Sequence, residues 1–253
     1  MNTPRLLTLG KITLAALLVQ YVSSLALTTI AAPLPNSFLI ARYTPPRRGT
    51  PTKGVQGSGA RGCEAQPSAS TSNADVKALP LTLLVPKDHI GQTTSGRPTF
   101  VWYINSTQPT SLEFSLVSPG VAKPVLVQKM QVQKPGLVQL QLPKANPELA
   151  MGKYRWSVTL LCESADRYSA RPYAQSWIER VAASPEQAKQ ATAAPSDRAL
   201  AQVYAESGLW YDALATLVTA RSANPSDSAI GADLSALLNQ VGLSQVAKQA
   251  QAR

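Results

Sequence analysis

Residues 200–225 read LAQVYAESGLWYDALATLVTARSANP, and they decide how the rest of the chain divides. Leu200 and Tyr204 fall one helical turn apart with Ala201 beside them, the spacing of a single helix face. Gly208 breaks that helix. Trp210, Ala213, Leu214, Leu217, Ala220 and Arg221 then follow helical spacing again. Asn224 precedes Pro225, and a residue before proline is pushed out of the helical region, so the second helix stops there. Small residues stand where two helices must touch. The segment is one helical hairpin, a module suited to holding a partner rather than transforming one.

Helical signals continue on both sides of it. Ile230, Leu234, Leu237, Leu238 and Val241 form a further stripe that Gly242 ends, and residues 244–250 begin another helix. Upstream, Ser184 with Gln187 makes a capping-box pattern, and Pro185 suits the first helical position. Ser196 or Asp197 can cap the helix that follows. Residues 183–253 are therefore a small helical region.

Residues 79–182 read differently. Residues 79–85 are a short apolar run ended by Pro86. Residues 100–104 are aromatic and β-branched. Leu112, Phe114 and Leu116 alternate with Ser111, Glu113 and Ser115, the period of a half-buried strand. Residues 124–132 suit an edge strand, where a proline and Lys129 are tolerated. Val138, Leu140 and Leu142 alternate with glutamines. Tyr154, Trp156, Val158, Leu160 and Cys162 share one face, and residues 174–181 close the set. Trp177 and Ile178 point opposite ways, and periodicity does not say which faces inward. The expected fold class is α+β: a seven-stranded, immunoglobulin-like antiparallel β-sandwich followed by the C-terminal helical region.

Residues 1–32 read as a signal peptide, with Arg5 and Lys11 ahead of an apolar run and small residues near its end. Gln20, Tyr21, Ser23 and Ser24 leave an uninterrupted core shorter than the ~20 residues a membrane span needs. An uncleaved membrane anchor is the alternative. Residues 33–78 read as a disordered basic linker rich in Pro, Gly and Ser, unable to bury enough apolar surface to offset its ordering entropy. No later segment is long and apolar enough to span a membrane. The expected location is the periplasm or the extracellular side.

The net charge is +10. Residues 79–182 carry eleven basic and six acidic side chains, whereas residues 183–253 carry five and six, so the positive charge lies on the sandwich and linker. The chain has two cysteines. In an exported chain an even pair favours a disulfide, here Cys63–Cys162, closing a loop worth roughly 4–5 kcal/mol in the chain-entropy model. Two free thiols are the alternative in a reducing compartment.

Chemistry is sparse. His89 is the sole histidine and sits beside Lys87 and Asp88, which reads as a solvated loop position. A Ser-His-Asp or Cys-His apparatus would have to use it. No ligand spacing supports a metal site and no glycine loop a phosphate site. Glu113, Glu163 and Glu179 fit outward strand positions better than a pair of catalytic carboxylates. No cofactor, nucleic acid or catalytic residue is expected, and the oligomeric state is open.

Two resemblances add to this. Leu200, Ala201, Tyr204, Gly208, Trp210, Ala213, Leu217, Ala220 and Pro225 match the pattern of a tetratricopeptide unit. Its period starts a second, shortened unit at Ser228, with Leu234, Gly242 and Ala247 in place. Arrays need about three units to stand alone, so this one should pack against the sandwich. An ordinary αα-hairpin is the alternative.

GARGC at 59–63, PTFVWY at 98–103, YRWS at 154–157 through Leu161-Cys162, Asp166-Arg167, WIER at 177–180 and GLWYDA at 208–213 together resemble a family of exported cyanobacterial proteins, domain of unknown function 928. Glu163-Ser164 departs from the aspartate and proline that follow the second cysteine in that family. The resemblance implies export and supplies no catalytic residue.

The expected function is a non-catalytic envelope protein that binds a protein partner through the helical hairpin, with Tyr204, Trp210 and Tyr211 as contact residues. The alternative is a module that binds polysaccharide or another anionic polymer through a basic sandwich face carrying Arg155, Arg167 and Arg180.

Overall fold

The run TFVWYI forms a strand buried on both faces, and the layering of the molecule follows from it. In a computed structural model, which describes residues 42–46, 56–58, 81–106, 108–161 and 172–251, nine strands occur in chain order. They are β1 (Gln56–Ser58), β2 (Leu81–Leu83), β3 (Gly91–Thr93), β4 (Thr99–Ile104), β5 (Thr110–Val117), β6 (Leu126–Val132), β7 (Gly136–Gln141), β8 (Gly152–Leu161) and β9 (Tyr173–Arg180). Five helices follow: α1 (Pro185–Ala193), α2 (Asp197–Glu206), α3 (Trp210–Ala223), α4 (Ser228–Gln240) and α5 (Ser244–Gln251). The described residues all belong to one compact unit.

The protein is an α+β fold with two sheets. Six strands form one sheet in the order β1-β9-β8-β5-β6, with β3 also paired to β9. β2, β4 and β7 form the other. Each of the seven segments read as a strand contains one, but the described residues hold nine strands rather than seven. Two three-residue strands, β1 and β3, share the remaining edge of β9, β1 antiparallel at Tyr173–Gln175 and β3 parallel at Ile178–Arg180. The larger sheet is therefore not wholly antiparallel, contrary to expectation.

The inner face of the larger sheet is the alternating set: Leu112, Phe114 and Leu116 on β5, Trp156 and Val158 on β8, Ile178 on β9. Phe100 and Trp102 of β4 meet it, with ring centroids 4.9 to 6.4 Å from Phe114 and Trp156. The other face of β4 lies against helix α3, so Val101 and Tyr103 are buried as well. A strand covered on both faces loses alternation and reads as a continuous apolar run. Helix α3 thus adds a third layer over β4.

Local chemistry sets the helix ends. Ser184 and Gln187 complete the capping box, Ser196 accepts from Ala199 N–H to cap α2, and Asp227 caps α4. Gly208 and Gly242 turn the chain at φ of 77° and 75°. Leu209 N–H donates to Tyr204 carbonyl at 2.9 Å, and Leu243 N–H to Leu238 carbonyl at 3.0 Å. The second turn repeats the first after 34 residues, counted from 209 to 243.

Two pieces of the stretch expected to be a free linker pack on the body. Tyr43 is 6% exposed, and β1 pairs with β9. Residues 1–32, read as a leader, lie outside the described residues, as do Cys63, Cys162, Glu163 and Arg167 and with them the expected disulfide.

Candidate functional site

Helix α3 begins with Trp210, Tyr211 and Asp212, and each side chain bonds to the β layer. The indole N–H of Trp210 donates to Leu84 carbonyl at 2.9 Å. The Tyr211 hydroxyl accepts from Trp156 Nε1 at 2.8 Å and donates to Trp177 carbonyl at 3.0 Å. Asp212 accepts from the Thr93 hydroxyl at 2.5 Å and from Thr94 through its N–H at 2.8 Å and its hydroxyl at 2.9 Å. Burial pushes the Asp212 carboxyl above its ordinary value, and these donors pull partly the other way. Burial likewise pushes the Tyr211 phenol up.

Trp210 and Tyr211 are fully buried by this arrangement. They form the seam between layers and present no surface to a partner, which corrects their expected role. Truncating either would cost about 3–5 kcal/mol. Tyr204 is half-buried on α2, its phenol pushed up by burial and by the Asp212 carboxylate.

A second cluster surrounds the sole histidine. His89 Nδ1 lies 2.7 Å from Asp88 Oδ1, and Nε2 lies 2.6 Å from the Tyr43 hydroxyl. A carboxylate only accepts, so Nδ1 donates to it, and in the neutral ring Nε2 then accepts from Tyr43. The His89 side chain is 11% exposed, so it is not the solvated loop residue that its neighbours suggest. The chain of carboxylate, imidazole and hydroxyl has the connectivity of a catalytic relay. Its last member, however, is a buried phenol whose pKa is pushed far up by desolvation and by Asp88, the wrong direction for a nucleophile. The cluster holds Tyr43 in place.

The two described arginines expected to share a basic face do not. Arg155 is paired with Trp177 across β8 and β9 and is exposed on the outer face of the larger sheet. Arg180 has the opposite parity on β9. It donates to Leu149 carbonyl and lies 3.9 Å from Glu148, bracing the loop before β8.

What the outer face does carry is a row on β9, Tyr173, Gln175, Trp177 and Glu179, set against Thr159, Ser157, Arg155 and Lys153 on β8. Ile178 faces the core at 0% exposure, so Trp177 is the outward residue, half-buried. Tyr173 is 37% exposed. Four residues of strand put the two rings about 13 Å apart on one face. Glu113 pairs with Thr159 and Glu179 with Lys153, six residues apart on β8. That separates the two carboxylates by about 20 Å along the strand, beyond the ~5–10 Å over which an acid and base cooperate in glycoside hydrolysis. Among the described residues no group of three or more His, Cys, Asp or Glu side chains could hold a metal ion. Among them, too, no helix is long and apolar enough to cross a membrane.

Two sheets and five helices, joined by the bonds of Trp210, Tyr211 and Asp212, define an α+β fold. The chain belongs to the family described as Domain of Unknown Function (DUF928), whose model matches residues 56–251. No curated protein matches it. Among solved structures it is similar to one titled "X-Ray photoreduction of Polysaccharide monooxygenase CBM33", at 12% identity and a TM-score of 0.25. The match covers 38% of this chain and 61% of that one, and at this score it carries no argument.

Proposed function

We propose that the protein is an exported, non-catalytic binding module of the cell envelope that holds an extended polysaccharide on the outer face of its larger sheet. The observation that carries this is the β9 row: Tyr173 and Trp177 on one face, with Gln175 between them and Arg155 paired to Trp177. Aromatic rings offer apolar faces to sugar rings, and the amide, hydroxyl and guanidinium groups beside them offer hydrogen bonds to hydroxyls. Arg155 and Lys153 add attraction to acidic groups on the polymer, and that part weakens with salt.

Co-sedimentation with purified wall or surface polysaccharide tests the reading. Binding at low salt that is lost in a folded Trp177→Ala, Tyr173→Ala double variant supports it. Absence of binding at low salt overturns it.

A second reading keeps a protein partner at the helices. The 34-residue repeat of the Gly208 and Gly242 turns supports two tetratricopeptide-type units, one of them short. Their aromatic residues lie in the seam, so such a partner would use the outward helix faces. A pull-down from envelope extracts that recovers nothing would remove this reading.

A further inference from the structure

Residues 42–46, Arg-Tyr-Thr-Pro-Pro, have no regular structure and few apolar groups, yet they are held at five points. The Tyr43 ring meets Trp210 edge-on at 5.1 Å and lies nearly parallel to His89 at 5.5 Å. Its hydroxyl donates to His89, as described above. Its N–H donates to Gln240 Oε1 at 2.8 Å. Thr44 N–H donates to Ala205 carbonyl at 3.0 Å. Gly208 makes room for the strand of chain: a Cβ there would lie 2.9 Å from the Thr44 carbonyl oxygen.

These contacts describe a groove. One wall is the loop ahead of β3, with Asp88 and His89. The other is the turn end of the helices, with Ala205, Gly208, Trp210 and Gln240. Lys87 Nζ donates to Gly242 carbonyl at 2.9 Å and ties the walls together. The side chains of Arg42, Thr44 and Pro45 face outward, so the groove reads one ring and an extended backbone. Pro45 and Pro46 hold that backbone extended before it docks, which lowers the ordering entropy.

We propose that this groove is a peptide-recognition site for a tyrosine-x-proline-proline segment, and that residues 42–46 are its resident ligand. Attachment in the same chain gives the resident an effective concentration of about millimolar, so a free peptide gains access only when the resident is weakened. The site is separate from the sheet face and stands whether or not that face binds polysaccharide.

The experiment uses the full chain with Tyr43→Ala and a synthetic peptide of residues 40–48. Thermal unfolding and Trp fluorescence are followed as peptide is added. Expected is a lower midpoint for the variant, a dose-dependent rise with the peptide, and no rise with the same peptide carrying Ala for Tyr43. A peptide without the hydroxyl, Phe for Tyr43, should bind about fivefold more weakly through loss of the His89 bond. A folded variant that does not respond to millimolar peptide overturns the proposal. If Tyr43→Ala fails to fold, the same titration on Tyr43→Phe decides: competition by the tyrosine peptide supports the site, and no response overturns it.

Discussion

The indole N–H of Trp156 donates to the hydroxyl of Tyr211 at 2.8 Å, inside the seam between the larger sheet and helix α3. Both residues are buried, so neither group has water to fall back on. Tyr211→Phe removes the acceptor for Trp156 and the donor to Trp177 carbonyl while keeping the ring. The expected loss is about 1–3 kcal/mol, read by urea denaturation. A change under a few tenths would mean that the seam is held by packing alone.

Trp102 supplies a comparison. Its indole N–H is buried and has no hydrogen-bond partner among the described residues. Trp102→Phe and Trp156→Phe delete the same atoms from the same core, but only the second deletes a satisfied donor. Trp156→Phe should be the more damaging by about 1 kcal/mol. The reverse order would place a partner on Trp102.

Gly208 and Gly242 adopt the same left-handed turn, and an alanine in that conformation costs about 1–2 kcal/mol at either position. They differ in surroundings. A Cβ at 242 meets Lys87 Nζ, the end of a flexible side chain, at 3.5 Å, whereas one at 208 meets the Thr44 carbonyl at 2.9 Å. Gly208→Ala should lose more stability than Gly242→Ala and should also expose the chain near Tyr43 to protease. Equal losses and equal protease resistance would contradict this.

Asp212 gives a pH dependence of unusual sign. Burial raises its folded pKa above the ordinary 3.8, so the folded state keeps this proton to higher pH than the unfolded state does. Stability tied to it is full below 3.8 and falls as pH rises through the folded value. Asp212→Asn abolishes that slope, at the cost of a mismatched amide facing the Thr94 N–H. Denaturation of both proteins across this range should show the wild type gaining on the variant as pH falls. Parallel curves would refute the raised pKa.

Which of these features the sequence announces depends on the range of the interaction. Ser184, Ser196, Gly208, Asn224 and Gly242 act on their immediate neighbours, and the helix ends fall where those residues place them. The alternation on β5 and β8 likewise fixes which side chains form the core. β3 gave no signal, because GQT has no apolar period and its partners lie on β9 and at Asp212, 118 residues away from Thr94. Tyr43 and His89 are 46 residues apart, so the exposed neighbours of His89 point to a solvated side chain where Tyr43 in fact covers it. The opposite parity of Arg155 and Arg180 emerges only with the β9 register.

The burial of Trp210 and Tyr211 was within reach of the sequence. Tyr211, Ala213, Leu214, Leu217, Val218 and Ala220 cover about half the circumference of α3 with Trp210 at the centre of the arc, and Thr219 lies exposed on the opposite side, so Trp210 and Tyr211 belong to the face that packs on the core. The continuous run on β4 carries the same message. Together they are the pattern of a helix packed on a doubly covered strand.

The seam also sets an order of events during synthesis. β4 has one face ready for β5 and β8 as soon as residues 81–180 exist, but its other face, the Leu84 carbonyl, the Trp156 indole and the Thr93–Thr94 donors all wait for residues 210–212. A ribosome-bound chain that stops at β9 has an exposed apolar sheet face and lacks the partners that Trp210, Tyr211 and Asp212 supply to its polar groups. The strands therefore mature only once the helices emerge, and the β region is not expected to survive as a separately expressed fragment.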